Sequence, residues 1–76
     1  MKLYVGSYFA FYTFDRNHWV EIELSQPTQL ADILIELGIP LAEIYLVVIN
    51  GQLVESPNTI VSNDDIVRLY PAIGGG

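Results

Sequence analysis

Apolar residues follow a period of two at the start of the chain, switch to helical spacing near its middle, and return to a period of two. From Lys2 to Thr13 the chain is rich in aromatic and β-branched residues, which suit a pleated, half-buried surface. Leu3, Val5, Phe9 and Phe11 share one parity, and Tyr4, Tyr8 and Tyr12 share the other. Both faces of this first strand are therefore substantially apolar, as in a central strand or one with an exposed sticky face. Thr13 to Asn17 supplies a turn. His18 to Leu24 then alternates, with Val20, Ile22 and Leu24 on one side and Trp19, Glu21 and Glu23 on the other. That is a strand with one wet face, and it completes a hairpin.

Ser25-Gln26-Pro27-Thr28 interrupts the alternation, and Thr28 has the hydroxyl expected of a helix N-cap. Leu30, Ile33, Leu34 and Leu37 fall at i, i+3, i+4 and i+7, one face of a helix. Gly38 ends it and Pro40 prevents its continuation. A helix of about ten residues is marginal alone and needs a sheet to lie on. Ile44 to Ile49 predicts a continuously apolar, well-buried strand. Asn50-Gly51 marks a tight hairpin turn, since both central positions favour positive φ. Gln52 to Glu55 returns along an edge, and turn residues flank Ile60-Val61. Ile66 to Tyr70 is the last strand, closed by Pro71.

The order strand–strand–helix–strand–strand–strand predicts an α+β domain of the β-grasp type. Its mixed four- to five-stranded sheet would carry the helix across one face and leave the other largely uncovered. The last strand would pair parallel to the first at the centre. The domain is expected over residues 1–70, with residues 71–76 as a flexible glycine tail.

Composition narrows the chemistry. The 76 residues include no cysteine, which excludes disulfides, thiolate-bound metals and thiol nucleophiles within this chain. Nine acidic residues face three basic ones, for a net charge of −6. Phosphate backbones and anionic lipid surfaces repel such a chain, so neither nucleic acid nor membrane is an expected partner. The acidic balance suits a basic partner surface, and equally it keeps a small apolar domain in solution. The apolar run near Met1 is too short to span a bilayer and has no secretory cleavage pattern, so the cytoplasm is the expected location.

The chemically suggestive stretch is Leu69-Tyr70-Pro71-Ala72-Ile73-Gly74-Gly75-Gly76. Three glycines cannot pack, but they can thread an extended carboxylate into a slot too narrow for a Cβ. The plainer explanation is a frayed end. Arg68 and Tyr70 are opposite in parity to Val67 and Leu69, which predicts them on the open sheet face beside the tail. There Tyr70 is a candidate docking anchor or simply a half-buried ring. His18 lacks the companions a metal site needs, Asp64-Asp65 reads as turn chemistry, and Glu21 and Glu23 read as a solvated strand face. Trp19 lies on their side, in an exposed patch or packed over the hairpin.

Four pieces resemble the MoaD/ThiS family of ubiquitin-like sulfur carriers, in the family's order. They are the helix Thr28-Gln29-Leu30-Ala31-Asp32-Ile33-Leu34 ending at Leu37-Gly38-Ile39-Pro40, and the strand-turn Leu46-Val47-Val48-Ile49-Asn50-Gly51. Next come the last turn and strand, Asn63-Asp64-Asp65-Ile66-Val67-Arg68-Leu69-Tyr70, and then Pro71 to Gly76. The first hairpin matches only in type. Asn63-Asp64-Asp65 stands where Asp-Gly-Asp is usual, Ala72 where a second proline is common, and Gly74 extends the glycine pair to three.

The resemblance implies that the chain is a co-substrate with no catalytic residue, bound metal or bound cofactor of its own. The Gly76 carboxylate would be adenylated by a partner activating enzyme at the expense of ATP, then converted to a thiocarboxylate. A synthase subunit would accept the sulfur for a molybdopterin or thiamine-thiazole precursor. Gly75 and Gly74 would thread the tail, Tyr70 and Arg68 would meet the partner, and the free carrier is expected to be a monomer. The same tail also suits a ubiquitin-like modifier joined to lysines. A non-covalent interaction module with an incidental glycine end is the third reading.

Overall fold

The computed structural model describes residues 1–13 and 16–72, apart from the side chains of Tyr8 and Phe11. Its main sheet has five strands: β1 (Lys2–Val5), β2 (Trp19–Glu21), β4 (Ile44–Ile49), β5 (Gln52–Val54) and β7 (Ile66–Pro71). They lie in the order β2-β1-β7-β4-β5. β1 and β7 run parallel at the centre, with Leu3 opposite Val67 and Val5 opposite Leu69. The other pairings in this sheet are antiparallel. Two short strands, β3 (Thr28–Gln29) and β6 (Ile60–Val61), form a separate ribbon beside the helix α1 (Leu30–Leu37).

The helix covers one sheet face, and the core forms between them. Leu30 and Leu34 of α1 are fully buried with Leu3, Val5, Val67 and Leu69 of the central strands. Val20, Ile22 and Leu24 pack against this core, as their alternation predicts. Gly38 adopts φ +81° at the helix C-terminus, and Ile39 N–H donates to Leu34 O at 3.0 Å. These features close the helix with a left-handed residue, and the buried Ile39 follows it.

The helix N-terminus differs from expectation. Thr28 belongs to β3, and its hydroxyl donates to Gln26 O at 2.9 Å. Gln29 is the residue before the first turn and makes no side-chain cap. Carbonyls from a distant loop take the exposed amides instead: Leu30 N–H donates to Thr59 O at 2.8 Å and Ala31 N–H to Pro57 O at 2.9 Å. Tertiary contact satisfies donors for which a local hydroxyl was expected.

The first strand is also shorter than its composition predicts. β1 ends at Val5, and residues Ser7–Tyr12 form a 3₁₀ helix. Gly6 N–H donates to Leu69 O at 2.8 Å, and Ser7 at φ +50° turns the chain. Phe9 is thereby fully buried. Apolar side chains alone do not distinguish a continuing strand from a turn that folds back over the end of the core. The second strand contracts likewise, from His18–Leu24 to Trp19–Glu21.

β4 is not uniformly buried. Val47 is buried, whereas Tyr45 is 69% exposed and Leu46 36% exposed. The helix covers only one face of the sheet, and a register shift against β7 between Ile44 and Leu46 interrupts the alternation there, so the adjacent Tyr45 and Leu46 both remain in solvent.

The hairpin turn forms as predicted, with Asn50 at φ +51° and Gly51 at φ +83°. Asn50 also joins this hairpin to the start of β7. Its Oδ1 accepts from Ile66 N–H at 2.9 Å, its Nδ2 donates to Asp65 Oδ1 at 2.9 Å, and its own N–H donates to Ile66 O at 2.8 Å. Asp65 Oδ2 accepts from Ser62 N–H at 2.7 Å. The turn chemistry expected of Asp64-Asp65 is thus carried by Asp65.

Candidate functional site

β7 is the last described strand before residues 73–76, and its open face is the candidate site. Along the strand Val67, Leu69 and Pro71 are buried, Ile66 and Arg68 are exposed, and Tyr70 is half-buried. This alternation puts Arg68 and Tyr70 on the side away from the helix. Pro71 is the strand's last residue, opposite Ile44 of β4. Gly74, Gly75 and Gly76 lie outside the described residues.

Strand register places a row of side chains across the sheet at Arg68. Trp19 of β2 stands opposite Tyr4 of β1, and Tyr4 opposite Arg68 of β7. Arg68 in turn pairs with Val48 of β4, and Val48 with Leu53 of β5. The Arg68 guanidinium carbon lies 5.3 Å from the Trp19 ring centroid and 5.7 Å from that of Tyr4. Tyr4 meets Trp19 edge-on at 5.2 Å and Tyr70 at 6.0 Å. Cation–π attraction and ring contacts hold the charged group over a preformed aromatic surface.

His18 extends this cluster. Its ring stacks on Tyr4 at 5.7 Å, and Nδ1 donates to Val5 O at 2.7 Å. The carbonyl can only accept, which puts a proton on Nδ1. His18 is exposed as expected, yet it also holds the end of the first hairpin.

Tyr4 and Gly6 complete the arrangement, and neither stood out as a site residue in the sequence. Tyr4 lies at the centre of the aromatic cluster. A Cβ at Gly6 would be 2.9 Å from Tyr70 Cδ1 and 3.1 Å from Leu69 O, so glycine leaves the space that Tyr70 occupies. The available signals were Tyr4's parity against Leu3 and Val5, and a lone glycine within an apolar run.

Exposed apolar side chains surround the cluster. Trp19 is 45% exposed, Ile66 42% and Leu53 66%. A shallow depression of about 400 Å³ lies among Lys2, Trp19, Val20, Glu21, Ile66 and Arg68. Among the described residues, no group of three or more His, Asp or Glu side chains is placed to hold a metal ion. No helix among them is long and apolar enough to cross a membrane.

A mixed sheet with parallel central strands and one helix across a single face is the ubiquitin-like β-grasp. Residues 8–76 match the model of the ThiS family, and the chain belongs to that family. The match runs through β7 to Gly76, the residues that carry the resemblance in the sequence. Comparison with curated proteins gives no match. Family membership points to a sulfur-carrier role, in which activating enzymes and synthases do the catalysis.

Proposed function

We propose that the chain carries sulfur as a thiocarboxylate on Gly76. The observation supporting this reading is the family match over residues 8–76, on a β-grasp whose last strand leads to the glycine tail. A carboxylate is a poor electrophile and needs a leaving group. A Gly76 oxygen attacks the α-phosphorus of ATP in an activating enzyme, and pyrophosphate departs. A persulfide sulfur then attacks the acyl carbon of the adenylate, and AMP departs. Reduction of the remaining S–S bond by a thiol leaves the sulfur on Gly76. A synthase subunit accepts it for a molybdopterin or thiazole precursor.

In this reading the chain contributes reach and recognition. Gly75 and Gly74 pass through the enzyme's narrow entry, while Arg68 and Tyr70 dock on its surface. The ATP site and any metal belong to the partner.

The test is incubation with a recombinant activating enzyme of this carrier class, ATP and a persulfide donor, followed by mass spectrometry of the C-terminal peptide. The expected products are an acyl-adenylate and then an oxygen-to-sulfur exchange at Gly76, both absent from a chain lacking Gly76. Lysine-linked adducts without sulfur exchange would instead make the chain a protein modifier. No modification across the activating enzymes tried would overturn the proposal.

A further inference from the structure

Arg68 presents a charge problem to any partner that covers the open sheet face. It is one of only three basic residues in the chain, and it stands in the middle of the row Trp19–Tyr4–Arg68–Val48–Leu53. Lys2, on the same side of the sheet, stands opposite Glu21. Arg68 stands opposite Tyr4 and Val48, and among the described residues no carboxylate pairs with it. Its guanidinium lies over the Tyr4 and Trp19 rings, which restricts it before any partner arrives.

An apolar surface laid over Trp19, Ile66 and Leu53 would remove water from this guanidinium. Desolvating an unpaired charge is costly, and a hydrogen-bonded opposite charge offsets that cost. The shape of the face provides room for such a group. The depression among Lys2, Trp19, Glu21, Ile66 and Arg68 is open to solvent, and its volume of about 400 Å³ accommodates a side chain.

We propose that this depression receives an aspartate or glutamate side chain of the protein that docks on the open face, with the carboxylate hydrogen-bonded to Arg68, Trp19 and Ile66 supplying apolar walls, and Glu21 set opposite Lys2 at the far rim. The inference rests on the reading of this face as the recognition surface of a carrier, and it specifies the partner's chemistry there. It is opposite in sign to the expectation from net charge. A chain at −6 attracts basic surfaces at long range, while its recognition face requires an acid at close range.

The contrast makes the test selective, because the chain's overall field disfavours an acidic probe. The ¹⁵N-labelled full chain is titrated with two blocked peptides, Ac-Leu-Asp-Phe-Leu-NH₂ and Ac-Leu-Asn-Phe-Leu-NH₂, while the Arg68 and Trp19 side-chain N–H signals are followed. The aspartate peptide is expected to bind about tenfold more tightly, in line with a charge-assisted hydrogen bond. Arg68→Met, which retains an apolar stem over the rings, is expected to abolish the preference, and Arg68→Lys to retain part of it. Amide spectra of both variants verify the fold.

Equal titration by the two peptides, or the same preference in Arg68→Met, would overturn the inference. A chain lacking Gly75 and Gly76 is expected to titrate as the full chain does. Much tighter peptide binding in that truncated chain would also overturn the proposal, assigning Arg68 to the chain's own terminal carboxylate. Because no activating enzyme is present, failure here is distinct from failure of Gly76 to be adenylated.

Discussion

The Tyr70 ring occupies the space that a side chain at Gly6 would need, with Cδ1 only 2.9 Å from the position of an added Cβ. Leu69 O, 3.1 Å from the same position, is backbone and accepts the Gly6 N–H bond. Gly6→Ala therefore forces Tyr70 outward or opens the β1–β7 junction. Overpacking of this kind typically costs about 1–3 kcal/mol. Urea denaturation is expected to show that loss, and the Tyr70 and Tyr4 ring resonances are expected to shift together. Unchanged rings and stability would mean that the space is not needed.

Asn50 has two separable roles, a positive φ and a pair of side-chain hydrogen bonds. Asn50→Gly keeps the turn conformation but loses the bonds to Ile66 N–H and Asp65, at an expected cost of about 1–2 kcal/mol. Asn50→Ala loses the same bonds while keeping a Cβ at positive φ without the local hydrogen bonding that lets asparagine tolerate that region, which costs about 1–2 kcal/mol more than Asn50→Gly. The order wild type, glycine, alanine in denaturation midpoint tests this partition. Equal midpoints for the two variants would remove the backbone contribution.

The Asp65 carboxyl is held below its ordinary range, chiefly by the Ser62 backbone N–H and then by the Asn50 side chain, with burial opposing them. A depressed folded value stabilises the fold above the unfolded aspartate pKa, about 3.9. That contribution is lost as pH falls through the folded value. Asp65→Asn cannot titrate, so its acid destabilisation is expected to be shallower over this window. Denaturation midpoints from pH 6 down to about pH 2 bracket the unfolded value and compare the slopes. Parallel slopes would contradict a stabilising role for the anion.

Two neighbours in α1 report which side of the helix faces the sheet. Leu34 is fully buried, and Leu34→Ala should cost about 2–5 kcal/mol, a large fraction of the stability of a small domain. Ile35 is 61% exposed, and Ile35→Ala should change stability by no more than about 0.5 kcal/mol. Thermal or chemical denaturation of the pair measures the difference. A comparable loss in both would contradict the helix orientation.

Much of the open sheet face was legible in the sequence. Strand parity separated Arg68 and Tyr70 from Val67 and Leu69, and it set Trp19 opposite Val20 and Ile22. Tyr4 and Gly6 were not legible as members of the site. Their importance depends on the parallel pairing of β1 with β7, strands about sixty residues apart in the chain. No local period records which residue comes opposite which.

By itself, the sequence determined the class of fold, the helix from Leu30 to its glycine stop, the Asn50-Gly51 turn and the side of β7 on which Arg68 lies. These follow from periods of 2 and 3.6 and from residues that tolerate positive φ. Only the tertiary structure decided that the first strand stops at Gly6, that distant carbonyls replace the Thr28 cap, and that Arg68 lies over both Trp19 and Tyr4. Each depends on segments remote in sequence meeting in space. Packing there selects among local conformations whose energies differ by only about 1 kcal/mol, too little for local preference alone to decide.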